Sequence, residues 1–319
     1  MSPSLRSNFV WTFAGNVVYA GCQWAQLSFL AKVGTPEMVG QFALALAVTA
    51  PVTMLGNLDL RAVQVTDVEE QHVFGEYLAL RLATAGLGLL VIRGMIAAVG
   101  YSKPTALVIF VVGLCKAIES ISDMFYGLFQ KNERLDIAAR SMLIKGPLSL
   151  LGMVVGVLIG GQVFWGVAGL LAAWTLMLLL FDAPRGYRIL DEAGKGATIW
   201  PLWRSSTMAR LAFTALPLGI VMCLISLNSN IPRYVLERTL GERELGIYSA
   251  IAYLVVAGNT VVGALGHSAS PKLAKYYAAG DRTAFWRLMR GLLVGGVVLG
   301  CGGVVLSSVA GELILRLLY

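Results

Sequence analysis

Ala106-Leu107-Val108-Ile109-Phe110-Val111-Val112-Gly113-Leu114-Cys115-Lys116-Ala117-Ile118-Glu119-Ser120-Ile121-Ser122-Asp123-Met124-Phe125-Tyr126-Gly127-Leu128-Phe129 is the stretch whose reading decides the fold. It is apolar over the roughly 20 residues that a helix needs to cross a bilayer. Yet it carries Lys116, Glu119 and Asp123. Steps of three and four residues place all three on one helix face, about 5–6 Å apart. Ser120 and Tyr126 lie beside that face. A charge at mid-membrane costs at least about 2.5–3.5 kcal/mol, so such groups face a polar interior rather than lipid. The stretch therefore predicts a membrane helix and marks where the polar interior of its bundle lies.

Outward from it the same texture repeats. Hydrophobic residues make up 57% of the 319-residue chain and charged residues 13%, and the mean hydropathy is +0.73. A soluble domain carries nearer a quarter charged residues. We read an all-α, polytopic membrane protein with nine spans near 9–31, 39–58, 77–99, 105–129, 138–160, 163–181, 208–231, 245–266 and 290–311. The first run leads directly into a second and has no small-residue cleavage site, so it is not a signal peptide. Gly34-Thr35-Pro36 and Gly160-Gly161-Gln162 read as tight turns, Asp59 to Glu76 as a polar interfacial segment, and Asp182 to Arg204 as the longest hydrophilic connection.

The net charge of +7 is spread between apolar spans and forms no basic domain, which argues against a nucleic-acid partner. With the N-terminus in the cytoplasm, 17 Lys and Arg fall on the cytoplasmic side and 7 on the other, the bias of the positive-inside rule. Cys22, Cys115, Cys223 and Cys301 each sit in an apolar span without a CxxC partner, so they read as small apolar filler. His72 and His267 are isolated, no nucleotide-binding or zinc motif occurs, and no metal or cofactor is expected.

Gly34 to Ala43 between spans one and two resembles Leu240 to Ser249 between spans seven and eight. Matching Gly40 to Gly246 gives an offset of 206 residues (246 minus 40). Six spans lie within one offset, so the two units are expected to be parallel repeats about an axis along the membrane normal. The division is then a six-helix bundle with its linker over 1–200 and a partial bundle of three helices over 201–319. A complete second repeat would need three more spans, so the chain is expected to be a truncated form of a protein of about 12 spans.

Asn8 to Asn16, Gly34 to Ala43, Glu119 to Gly127, and Asn230-Ile231-Pro232-Arg233-Tyr234 leading to Leu245-Gly246-Ile247-Tyr248 together resemble the polysaccharide flippases of the multidrug/oligosaccharidyl-lipid/polysaccharide exporter superfamily. The resemblance covers essentially the whole chain. It implies helical bundles around a central cavity, in the bacterial inner membrane. It also implies outward flipping of an undecaprenyl-pyrophosphate-linked oligosaccharide for surface polysaccharides such as O-antigen, beside polymerase or glycosyltransferase partners. The chain is then a transporter and not an enzyme. A drug exporter of the same fold, a membrane polymerase or ligase, and an inactive fragment are the alternatives. Short outer loops without paired acid/base groups disfavour the enzyme.

The candidate cavity residues follow. Lys116, Glu119 and Asp123 either meet an anionic substrate or relay a proton, or else form an internally neutralised seam with Lys116 paired to Glu119. Arg61, Arg81 and Lys145, near the ends of spans two, three and five, either grip a pyrophosphate or snorkel to headgroups. Asn228, Asn230 and Arg233 surround Pro232 at the expected end of span seven and serve either a gate or sugar contact, or a plain helix end. Pro51, Pro147 and Pro217 are candidate kinks.

Overall fold

A computed structural model describes residues 5–67, 71–192, 199–252, 276 and 281–318. Every regular element among them is helical. In chain order they are α1 (Leu5–Val33), α2 (Pro36–Asn57), α3 (Leu60–Thr66), α4 (Phe74–Val99), α5 (Lys103–Lys131), α6 (Leu135–Gly160) and α7 (Val163–Met177). A π-helical turn, Leu178–Asp182, then leads into α8 (Ala183–Glu192), α9 (Ser205–Leu240), α10 (described over 242–252) and α11 (Arg282–Leu318).

Seven helical segments among the described residues are long and apolar enough to cross a membrane, and they coincide with seven of the nine expected spans. Helix α1 is long enough, at 29 residues, but is not one of the seven. Asn16, Gln23 and Gln26 interrupt its apolar run. Gln26 is buried and donates to Ser149 on α6 at 3.0 Å, which satisfies a polar group where water is scarce. The expected eighth span is described only to residue 252. Its remainder, Gly194-Lys195-Gly196, His267, Pro271, Lys272 and Lys275 lie outside the described residues.

The helix ends have local causes. Thr35 caps α2 by accepting from the Met38 amide, with Pro36 opening the first turn. Gly161 ends α6 at φ +65°, a conformation that suits glycine, and Gln162 is the only residue between it and α7. Leu58 and Asp59 both have positive φ, an uncommon pair for non-glycine residues, and they turn the chain from α2 into α3. The segment 59–76 thus holds a helix, α3, packed on α5. At its far end Asp67 is held in place. Burial alone would raise its carboxyl. The amides of Gln71 and His72, the Tyr77 hydroxyl and Lys131 more than offset that and keep it below the usual carboxylate range.

Two expected boundaries move. The helix expected to stop near Asp182 continues through the π-turn and α8 to Glu192, so the hydrophilic connection is shorter and Asp182 is fully buried. The seventh span, expected to end at residue 231, runs on as α9 to Leu240 with Pro217 and Pro232 inside it. Asn228, Asn230 and Arg233 are therefore interior helix residues, not a helix end.

The chain forms two compact units, Met1–Ile247 and Tyr248–Tyr319. The expected boundary at 200 rests on the internal repeat rather than on compactness. In the first unit α2 and α5 are the interior helices: the most apolar window of each is half buried or more (56% and 50%), against 11% for α4. A hydrophobic core that includes Tyr77, Met124, Phe125 and Phe129 with Leu60 and Leu190 ties α3, α4, α5 and α8 together. In the second unit several apolar side chains of α11, among them Val297 and Val304, are exposed.

In lipid, apolar burial does little to join helices, so close backbone packing through small residues takes over. Helix α6 shows this. A Cβ on Gly169 of α7 would stand 2.0 Å from the Gly152 carbonyl oxygen of α6, and one on Gly156 would stand 2.1 Å from that of Trp165. On the other side Gly15 of α1 abuts Ala139. Gly169→Ala should therefore lower the thermal unfolding midpoint in detergent, with about 1–3 kcal/mol lost to overpacking. Gly94→Ala, where a Cβ meets nothing within 4 Å, should leave the midpoint in place. Equal midpoints for the two variants would contradict the packing assigned to α6 and α7.

Candidate functional site

The first unit contains a cavity of about 400 Å³ between α1, α2, α5 and α6. Lys116, Glu119, Ser120, Asp123 and Tyr126 of α5 form one wall, Tyr19 and Gln23 of α1 another, and Thr53 and Asn57 of α2 with Lys145 of α6 the rest. The i,i+3,i+4 spacing on α5 thus puts its three charges on one cavity face, as the sequence requires.

Each carboxylate in this cavity has cationic partners. Lys116 Nζ lies 2.8 Å from Glu119 Oε2, and the Tyr19 hydroxyl donates to Glu119 Oε1 at 2.7 Å. Arg61, brought in by α3, donates to Asp123 at 3.0 Å and also holds Gln130. Arg81 of α4 lies 4.0 Å from the other Asp123 oxygen and donates to Asn57. Lys145 stands over the rings of Trp174 and Tyr126, at 5.2 and 5.8 Å, and Lys116 lies 5.6 Å from the same Trp174 ring. Two ammonium groups therefore flank one indole, a cation–π arrangement strengthened by desolvation.

Of the candidate cations, Arg81 and Lys145 are both 1% exposed. Burial rules out snorkelling to headgroups for these two, whereas Arg61 keeps a side chain 31% exposed. The structure brings Lys116, Glu119, Asp123, Arg61, Arg81 and Lys145 into one connected system. It does not bring Asn228, Asn230 and Arg233 to the cavity wall. Asn230 is buried on α9, bonded to the Ser226 carbonyl and to Arg233, and Asn228 is exposed. Four residues that the sequence reading passed over complete the site: Tyr19, Ser141, Trp174 and Asp182. An acid closing the run Leu178-Leu179-Leu180-Phe181-Asp182 was the available signal for the last; hydroxyls and rings on apolar helices carry none.

The cavity occupies the half of the unit where α1 and α6 begin and α2 ends. The opposite end is closed. A Cβ on Gly40 would stand 1.8 Å from the Glu242 carbonyl oxygen, and one on Gly246 would stand 2.1 Å from that of Pro36. The Glu242 carboxylate accepts from Gln41 of α2 and Thr105 of α5. These contacts clamp the starts of α2, α5 and α10 together.

Residues 5–276 match the family described as Polysaccharide biosynthesis protein. The chain belongs to this family. It is 31% identical over 317 residues to the Capsular polysaccharide biosynthesis protein CapF of Staphylococcus aureus, across 98% of this chain and 76% of that protein. A solved structure designated "protein A" is similar to it with a TM-score of 0.61 at 16% identity, over 99% of this chain and 74% of that one. That likeness concerns the fold alone. The chain is thus a multi-pass membrane protein of a polysaccharide biosynthesis family, and its cavity is to be read in that setting.

The pairing makes a ranked expectation. Asp123→Asn removes a carboxylate shared by two cations, one of them fully buried, and should cost about 2 kcal/mol, the scale of a charged hydrogen bond. Arg61→Gln leaves Arg81 paired and should cost less. Membrane protein level and thermal midpoint measure both. A larger loss for Arg61→Gln would show that Asp123 does not serve Arg81.

Proposed function

We propose that this protein flips a lipid-linked oligosaccharide, held by its undecaprenyl pyrophosphate group, across the bacterial inner membrane. The observation that carries this reading is the cavity, lined by Lys116 and Lys145, with Arg61 and Arg81 behind its wall on Asp123, within a unit otherwise built of apolar helices. A pyrophosphate is the anionic group of such a lipid, and Arg and Lys side chains bind it through charge-assisted hydrogen bonds. A multidrug exporter handling cations would want free carboxylates instead, and here Glu119 and Asp123 are already paired with cations.

In this reading the N-terminus is cytoplasmic, in line with the 17-to-7 bias of Lys and Arg. The cavity then faces the cytoplasm, and the Gly40–Gly246–Glu242 contact closes the outer end. Gly40 and Glu242, and Gly246 and Pro36, are reciprocal contacts at the 206-residue offset (246 minus 40, 242 minus 36). Such reciprocity supports a parallel repeat with a pseudo-two-fold axis, around which two bundles would alternate access. Asn228, Asn230 and Arg233 on α9 are candidate sugar contacts or gate residues in another state of the cycle. Polymerase or glycosyltransferase machinery supplying the substrate fits the same setting.

Lys116 tests the reading. Lys116→Gln should reduce surface polysaccharide in a complemented flippase-deficient strain by about tenfold or more, the scale of a lost charged hydrogen bond. The Lys116→Gln/Glu119→Gln double variant removes the unpaired carboxylate and should restore protein level without restoring export. Export by the double variant at the unmodified level would overturn the substrate-binding role of Lys116.

A further inference from the structure

A second concavity lies away from the cavity, at the end of the first unit where α4 stops and α5 starts. It is an open groove of about 400 Å³, lined by Arg93 and Ile96 of α4 and by Lys103, Ala106, Leu107 and Phe110 of α5. The α5 residues form an i, i+3, i+4, i+7 stripe, and Arg93 and Ile96 are one i,i+3 step on α4. Thr105, which donates to Glu242, lies off this stripe. Helix α4 has only 11% of its most apolar window buried, and Arg93, Lys103 and Leu107 are all exposed.

Both cations of the groove lack a counter-ion. Among the described residues neither side chain makes an ion pair or a hydrogen bond. Lys116 and Arg61, by contrast, each hold a carboxylate within 3.0 Å. The single acid of α4, Glu76, is 17 residues from Arg93 (93 minus 76), and the first acid of α5, Glu119, is 16 residues from Lys103 (119 minus 103). Either separation is about 25 Å along a helix.

The depth of Arg93 makes this absence costly. Helix α4 has 26 residues and is about 39 Å long, against about 30 Å of bilayer hydrocarbon. Centred on the bilayer, it places Arg93, six residues before Val99, about 4–5 Å inside the hydrocarbon edge. A helical Cα–Cβ bond tilts toward the helix N-terminus, which for α4 is the far side of the membrane. Snorkelling to the near face therefore works against the backbone, and the charge needs an anion brought to it.

We propose that this groove binds an anionic phospholipid of the outer leaflet. The lipid phosphate sits between Arg93 and Lys103, and an acyl chain runs along Leu107 and Phe110. Arg offers a planar fork to two phosphate oxygens, and Lys adds a point charge. Two cations with no acid beside them favour a headgroup of net negative charge over a zwitterionic one, whose ammonium they repel. The apolar stripe below them favours a lipid over a free phosphate ion. The choice of leaflet rests on the cytoplasmic N-terminus proposed above, but the site does not.

Native mass spectrometry of the full chain in detergent, titrated with phosphatidylglycerol or phosphatidylcholine, tests this. The first phosphatidylglycerol adduct should form at about tenfold lower lipid concentration than the first phosphatidylcholine adduct, the scale of one charged hydrogen bond. Arg93→Gln/Lys103→Gln should abolish that preference. Ala106→Phe keeps both charges but fills the groove, and should abolish it as well. Arg243→Gln removes an exposed cation outside the groove and should leave it intact. Phosphatidylglycerol should also raise the thermal midpoint of the unmodified protein and not that of the double variant, whose lipid-free midpoint should match the unmodified one. A preference that survives the double variant overturns the site. A preference that survives Ala106→Phe shows that surface charge alone attracts the lipid, and overturns the groove. Undecaprenyl phosphate that binds more tightly than phosphatidylglycerol and is lost in the same variants assigns the groove to the carrier lipid, and overturns the phospholipid.

Discussion

The structure depends on one constraint: ionised groups placed at membrane depth must be compensated by other groups of the protein. Four cations and three acids occupy the first unit near its cavity, and their compensation dictates which helices meet. Glu119 needs Lys116 from its own helix and Tyr19 from α1. Asp123 needs Arg61 from α3 and Arg81 from α4. Removing one partner leaves the other stranded in a medium of low dielectric, which is more costly than the pair is favourable. The polar seam therefore behaves as a register device that fixes α1, α3 and α4 against α5.

Close backbone contact makes such pairing reachable. Side chains on two helices bond only if the helices approach, and glycine permits that approach on both sides of α6. Gly146 sets its neighbour Lys145 against α1 beside Tyr19 and Cys22. Aromatic rings then fill the volume that the ammonium groups would otherwise lose to lipid, with Trp174 touching both lysines.

The same physics separates the two ends of the unit. At one end glycine pairs bring backbones to van der Waals contact, and a single carboxylate, Glu242, gathers Gln41 and Thr105. At the other, charged side chains of α5 and α6 line a polar cavity with α1 and α2. One end thus packs dry through a few backbone contacts, and the other keeps a polar cavity lined by oppositely charged pairs.

The class of protein and most of its spans were legible in the sequence, because apolar runs of bilayer length have one physical use. So was the polar face of α5, since the spacing of Lys116, Glu119 and Asp123 is a property of the helix alone. The Lys116–Glu119 pair follows from the same local geometry. What lay beyond the sequence was every partner supplied from elsewhere. Tyr19 on Glu119 and Arg61 on Asp123 join residues 100 and 62 positions apart. Periodicity says which face a residue occupies and nothing about the neighbour that face will meet. Helix ends were misplaced for a related reason. Pro232 and the acid at Asp182 are local stop signals, and tertiary packing overrode both: α9 continues against α2, and Asp182 is drawn inward to Ser141 and Lys145. A buried carboxylate in lipid exists only where a folded environment receives it, so only the tertiary structure could decide that Asp182 belongs to the interior.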